Sequence, residues 1–115
     1  MTNLYNYRAK CTNVIDGDTI DADVDLGFDV WIKTRFRLLG IDTPETYGVK
    51  KESAEYAAGM LAKARTTELM LGKLITVVTE KDRTEKYGRY LATVYVDGVN
   101  VNETLIKEGL AKIYK

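Results

Sequence analysis

The sequence predicts a mainly β member of the α+β class: a five-stranded barrel with one long helix and a short C-terminal helix. Three observations lead there. Strand-like segments closed by turn signals recur through the chain. One run, from about Lys51 to Met70, places apolar residues at helical spacing. A length of 115 residues provides for one core, so residues 1–115 are expected to form a single domain.

Tyr7 to Val14 reads as the first strand. Ile15-Asp16-Gly17-Asp18-Thr19 follows, and Asp-Gly is a hairpin signal. The second strand alternates: Ile20, Ala22, Val24 and Leu26 share one face, Asp21, Asp23 and Asp25 the other. By parity Asp18 falls on the apolar face, where a carboxylate is costly unless a cation or hydrogen-bond donors meet it. The other reading is a wet turn that Asp18 caps. A helix–loop–helix calcium site is excluded, because counting from Asp21 its sixth and twelfth positions hold Leu26 and Ile32 in place of glycine and glutamate.

Gly27-Phe28-Asp29 is a turn, and Val30 to Gly40 is the third strand. Phe36, Leu38, Leu39 and Ile41 give its end a buried character. Asp42, Thr43 and Glu45 then cluster, and Pro44 keeps the chain from continuing as an internal strand. Two carboxylates, a hydroxyl and the nearby Arg35 and Arg37 suggest a metal and phosphate site; a strand ending in an ordinary polar turn is the competing reading.

The helix is expected to bury Ala54, Ala57, Ala58, Leu61, Ala64 and Leu69, with Ser53 as a cap, Gly59 allowing close approach to the sheet, and Gly72 as its stop. Leu74 to Thr79 is a β-branched fourth strand. Glu80 to Gly88 reads as a charged loop and Arg89 to Val96 as the fifth strand. Asn102 is expected to cap a short helix, Glu103 to Glu108, which Gly109 ends; Leu110 to Tyr114 is a last segment. Strand count and antiparallel order favour a closed barrel of the oligonucleotide-binding type.

Composition narrows the chemistry. Seventeen basic and 17 acidic side chains cancel, so no strong basic field for nucleic acid exists and phosphate must be met by local charge or by a metal. The chain has no histidine and one cysteine, which excludes imidazole acid–base chemistry, Ser-His-Asp triads and the usual zinc sites. Catalysis would fall to carboxylates, arginine, lysine, tyrosine or an oxygen-bound metal. Cys11 reads as a buried thiol. No apolar run reaches bilayer length and no signal peptide is visible, so a cytoplasmic protein without membrane contact is expected, with secretion left open.

Ile15-Asp16-Gly17-Asp18-Thr19, then Phe36 to Glu45, then Lys86-Tyr87-Gly88-Arg89 resemble staphylococcal nuclease, also called thermonuclease, in the family's own order. Val101-Asn102-Glu103-Thr104-Leu105 and Gly109-Leu110-Ala111-Lys112 resemble the same family, so the likeness runs from about Tyr7 to Lys112. It implies calcium-dependent hydrolysis of phosphodiester bonds in DNA and RNA, single strands preferred, leaving 3′-phosphate ends. Carried over by residue, Asp18 and Asp42 resemble the calcium carboxylates, with Thr43 adding its main-chain carbonyl. Glu45 resembles the residue that orients the attacking water. Arg37 and Arg89 resemble the arginines on the reacting phosphate, and Lys86 and Tyr87 the flanking substrate contacts. Tyr114 only roughly matches the family's base-contacting tyrosines. Two departures stand out: the hairpin between Asp18 and Arg37 is longer, and the type member's C-terminal helix has no counterpart up to Lys115, as in a short variant. A monomer or weak homo-oligomer is expected. The alternative is a non-catalytic barrel that binds nucleic acid or protein.

Overall fold

The computed structural model describes residues 5–84 and 88–114. Its strands are β1 (Asn6–Asp16), β2 (Thr19–Asp25), β3 (Trp31–Leu38), β4 (Ile41–Asp42), β5 (Leu74–Thr84), β6 (Tyr90–Val96), β7 (Val99–Asn100) and β8 (Lys112–Ile113); its helices are α1 (Ala54–Met70) and α2 (Val101–Lys107). The sheet runs in the order β3-β2-β1-β5-β6-β7, and a further pairing of β3 with β6 closes β1, β2, β3, β5 and β6 into a five-stranded barrel. Closure is parallel and short: Phe36 to Leu38 lie beside Tyr90 to Ala92. Period-2 alternation turns Ala9 and Cys11, Ile20, Ala22 and Val24, Ile75 and Val77, and Ala92 and Val94 into the barrel, all at most 4% exposed. No helix among the described residues is long and apolar enough to cross a membrane.

The expected elements are present, with corrections. The backbone of β5 stays in strand to Thr84, through half of the segment read as a charged loop, and Thr84 pairs with Tyr90. The final segment is also strand-like: β8 pairs with β4, matching Asp42 with Lys112, and the Tyr114 amide donates to the Gly40 carbonyl at 2.9 Å.

Ser53 caps α1 as expected, accepting from the Tyr56 amide at 3.1 Å. The buried face is different, however. Gly59, Ala62, Thr66 and Met70 face inward, while Leu61 is 64% exposed. Ala54, Ala57, Leu61 and Ala64 share one side of the helix, but that side is exposed. Gly59 and Ala62 face inward where the helix lies close against neighbouring chain, and Met70 reaches the core. A Cβ on Gly59 would sit 2.8 Å from the carbonyl oxygens of both Pro44 and Glu45, so the glycine permits close approach to the Glu45 loop and not to the sheet.

Asn102 is not the cap of α2. Asn100 fills that place, accepting from the Glu103 amide at 3.0 Å. Asn102 is buried instead. Its Oδ1 accepts from the Val94 amide at 3.1 Å, and its Nδ2 donates to the carbonyls of Leu39 at 2.9 Å and Ala92 at 3.2 Å. One carboxamide thus ties α2 to β6 and to the chain just ahead of Asp42.

Candidate active site

The site forms where three stretches meet at one end of the barrel. The first is the two-residue turn Gly17-Asp18 between β1 and β2. Asp18 is 6% exposed, and its charge is met: Oδ1 accepts from the Thr19 hydroxyl and Oδ2 from the Thr43 amide, each at 3.2 Å. The parity argument therefore holds over the wet-turn alternative, and donors meet the carboxylate. The Leu38 amide donates to the Asp18 carbonyl at 2.8 Å, fixing the turn against the end of β3.

Register places Arg37 next to Thr19. From there its Nη1 donates to the Ile41 carbonyl at 2.9 Å and the Leu38 carbonyl at 3.3 Å. Nη2 donates to Asp42 Oδ1 at 3.1 Å and lies 3.5 Å from Asp18 Oδ2. The guanidinium carbon lies 5.0 Å from the centre of the Tyr114 ring. Arg89 approaches from the segment before β6, and its Nη1 donates to the Thr19 hydroxyl at 3.1 Å. Both arginines thus come within one hydroxyl or one carboxylate of Asp18.

Glu45 is exposed at the edge of this cluster. Partial removal from water raises its carboxyl pKa, and the negative charges of Asp16, Asp18, Asp42 and Glu55 raise it further. Asp16, half-buried, accepts a hydrogen bond from the Thr46 hydroxyl. Burial raises its carboxyl pKa too; the Thr46 bond opposes the shift and the neighbouring Asp18 charge adds to it. An open groove of about 440 Å³ runs past Asp42, Thr43 and Glu45 to Glu55 and Lys112.

The expected residues Asp18, Arg37, Asp42 and Thr43 are thus joined by direct contacts, Arg89 reaches them through the Thr19 hydroxyl, and Glu45 stands within their electrostatic reach. Lys86 and Tyr87 lie outside the described residues. The sequence reasoning did not single out Asp16, Thr46 or Glu55. Asp16 sat in a quoted motif, but nothing in its spacing pointed to Thr46, 30 positions on. Glu55 carries no signal beyond its place in the first turn of α1.

The donor set suits a hard cation. Asp18 and Asp42 offer oxygen only, and a positively charged nitrogen already sits between them. Among the described residues no group of three acidic, histidine or cysteine side chains could hold a metal together, so an ion here would draw on the two aspartates, main-chain oxygen such as that of Thr43, and water.

A closed barrel of the oligonucleotide-binding type, with paired arginines over an acidic turn at its end, defines a class of small phosphate-handling domains. Comparison makes the class specific. Residues 35–115 match the family model for the staphylococcal nuclease homologue, and the chain belongs to that family. It is 46% identical over 100 residues to the SPbeta prophage-derived endonuclease YokF of Bacillus subtilis, covering 86% of this chain and 31% of that protein. Endonuclease YncB of the same organism is also 46% identical over 100 residues, with 86% of this chain and 44% of that protein covered. The thermonuclease of Staphylococcus hyicus is 34% identical over 112 residues, 97% of this chain and 62% of that protein. The chain therefore spans less than two thirds of the length of these relatives.

Proposed function

We propose that this chain is a calcium-dependent nuclease that hydrolyses phosphodiester bonds in DNA and RNA, single strands preferred, and leaves 3′-phosphate ends. The observation that carries the reading is the meeting of Arg37 and Arg89 at Asp18 and Thr19, with Asp42 and Glu45 alongside. Phosphodiester hydrolysis needs an aimed water and donors for the charge that builds on the phosphoryl oxygens. The two guanidiniums supply planar, permanently charged donors for those oxygens. Glu45 orients the attacking water and accepts its proton as the water oxygen bonds to phosphorus; the bond from phosphorus to the 5′ oxygen breaks, and that oxygen leaves with the bonding pair and takes a proton from solvent to become the 5′-hydroxyl. Asp18, Asp42 and the Thr43 carbonyl would hold calcium. When bound, calcium supplies positive charge that polarises phosphate and water. Lys86 and Tyr87 would grip the flanking strand. Little sequence preference is expected, since phosphate contacts position a strand without reading it.

The test is incubation with heat-denatured DNA and with RNA, in calcium with and without chelator, followed by end-group analysis. The reading requires chelator-sensitive cleavage and 3′-phosphate ends. Binding without cutting would favour a non-catalytic binding module instead.

A further inference from the structure

We infer that the Arg37 guanidinium and a divalent cation compete for the same two carboxylates, so that cation binding and the release of Arg37 toward phosphate form one coupled event. The inference rests on the nuclease reading and deepens it by naming how the site is regulated.

The two nitrogens of the fork have different partners. Nη1 is anchored to the main chain, at the carbonyls of Ile41 and Leu38, which fixes where the guanidinium sits. Nη2 is committed to charge: Asp42 Oδ1 at 3.1 Å and Asp18 Oδ2 at 3.5 Å. These are the oxygens a hard cation would seek. Water screens the Asp18 contact only in part, for the Arg37 and Asp18 side chains are 13% and 8% exposed, whereas that of Asp42 is 47% exposed.

A doubly charged ion and a guanidinium held at the same two carboxylates, one of them buried, repel each other, so each weakens the other. By linkage the effect is reciprocal: whatever draws Nη2 away from the aspartates strengthens cation binding, and a cation on the aspartates frees Nη2 for a phosphate oxygen. Arg37 is then both the counter-ion of the acidic pair and the phosphate donor, in alternation. Phosphate capture by Arg37 would follow cation loading.

Calorimetric titration of calcium alone, with no nucleic acid present, tests this. Arg37→Ala should bind calcium about tenfold more tightly than the unmodified chain, the order expected for removing one unit charge a few ångström away. Arg37→Lys, which keeps the charge, should stay near the unmodified affinity. Nitrogen-15 NMR of the unmodified chain provides a readout that does not depend on any variant folding: the Arg37 Nε–H signal should move on calcium addition and saturate with the calorimetric isotherm. Equal or weaker calcium binding by a folded Arg37→Ala chain, an unmoved Arg37 signal while calcium binds, or no calcium binding by any chain overturns the inference. Failure of the nuclease reading is distinct, appearing as calcium bound without cleavage; equal calcium affinities with cleavage intact remove only the competition.

Discussion

The Thr66 hydroxyl donates to the Gly17 carbonyl at 2.7 Å, in a contact sealed from water. It joins the inner face of α1 to the turn that carries Asp18. The surfaces meet closely, since a Cβ on Gly17 would lie 2.8 Å from Ala62 Cβ and 2.9 Å from Thr43 Cγ2. Helix, turn and Thr43 loop therefore hold one another in place. Thr66→Val keeps the shape but leaves a buried carbonyl unpaired, which should cost about 1–3 kcal/mol. Urea unfolding should show a lower midpoint with an unchanged slope, and Thr66→Ser should recover much of the loss.

Gly59→Ala should invert a common rule. Alanine in place of a mid-helix glycine normally adds about 0.5–1 kcal/mol of stability. Here the new methyl would press on the Pro44 and Glu45 carbonyls and on Thr46 Cγ2. A loss of about 1–3 kcal/mol is expected instead, the usual scale for overpacking. Displacement of the Glu45 loop should lower kcat about tenfold or more and leave KM nearly unchanged, because geometry at the reacting atoms is lost before substrate grip. Stopped-flow cleavage and thermal melts on the same preparation check both effects.

Cys11 gives a pH signature. Burial holds its thiol up at about 11, against 9.0 when free, and the residue is fully enclosed. The folded state thus favours the neutral thiol. Its contribution is intact below about pH 9 and is lost as pH rises from there toward about 11, by about 2–3 kcal/mol in all. Urea midpoints measured between pH 8 and 11 should fall less steeply for Cys11→Ala than for the unmodified chain. Parallel slopes would contradict the assignment.

The barrel was legible because strand alternation and Asp-Gly turns are local signals, and they carried as far as the buried parity of Asp18. What escaped were relations set by packing. The inward face of α1 depends on how closely main chain can approach Gly59, a relation that the apolar spacing of the helix does not carry. Asparagine ahead of a helix usually caps it, yet Asn102 lies within α2. Its burial follows from the Leu39 and Ala92 carbonyls and the Val94 amide, which only the closed barrel brings to it. In the same way Arg37, Asp42 and Arg89 were visible as residue types in a motif, whereas the Asp16–Thr46 bond required the third dimension.

In the proposed function these distant stretches build one phosphodiester-cleaving centre. The most direct measurement is the initial rate of cleavage of heat-denatured DNA in saturating calcium by the unmodified chain and by Glu45→Gln, with folding of both verified by circular dichroism. Cleavage by the former is expected, with a rate lowered about 10²-fold or more in the latter, the scale of a lost general base. Undiminished cleavage by Glu45→Gln, or none by the folded unmodified chain, would contradict the proposed function.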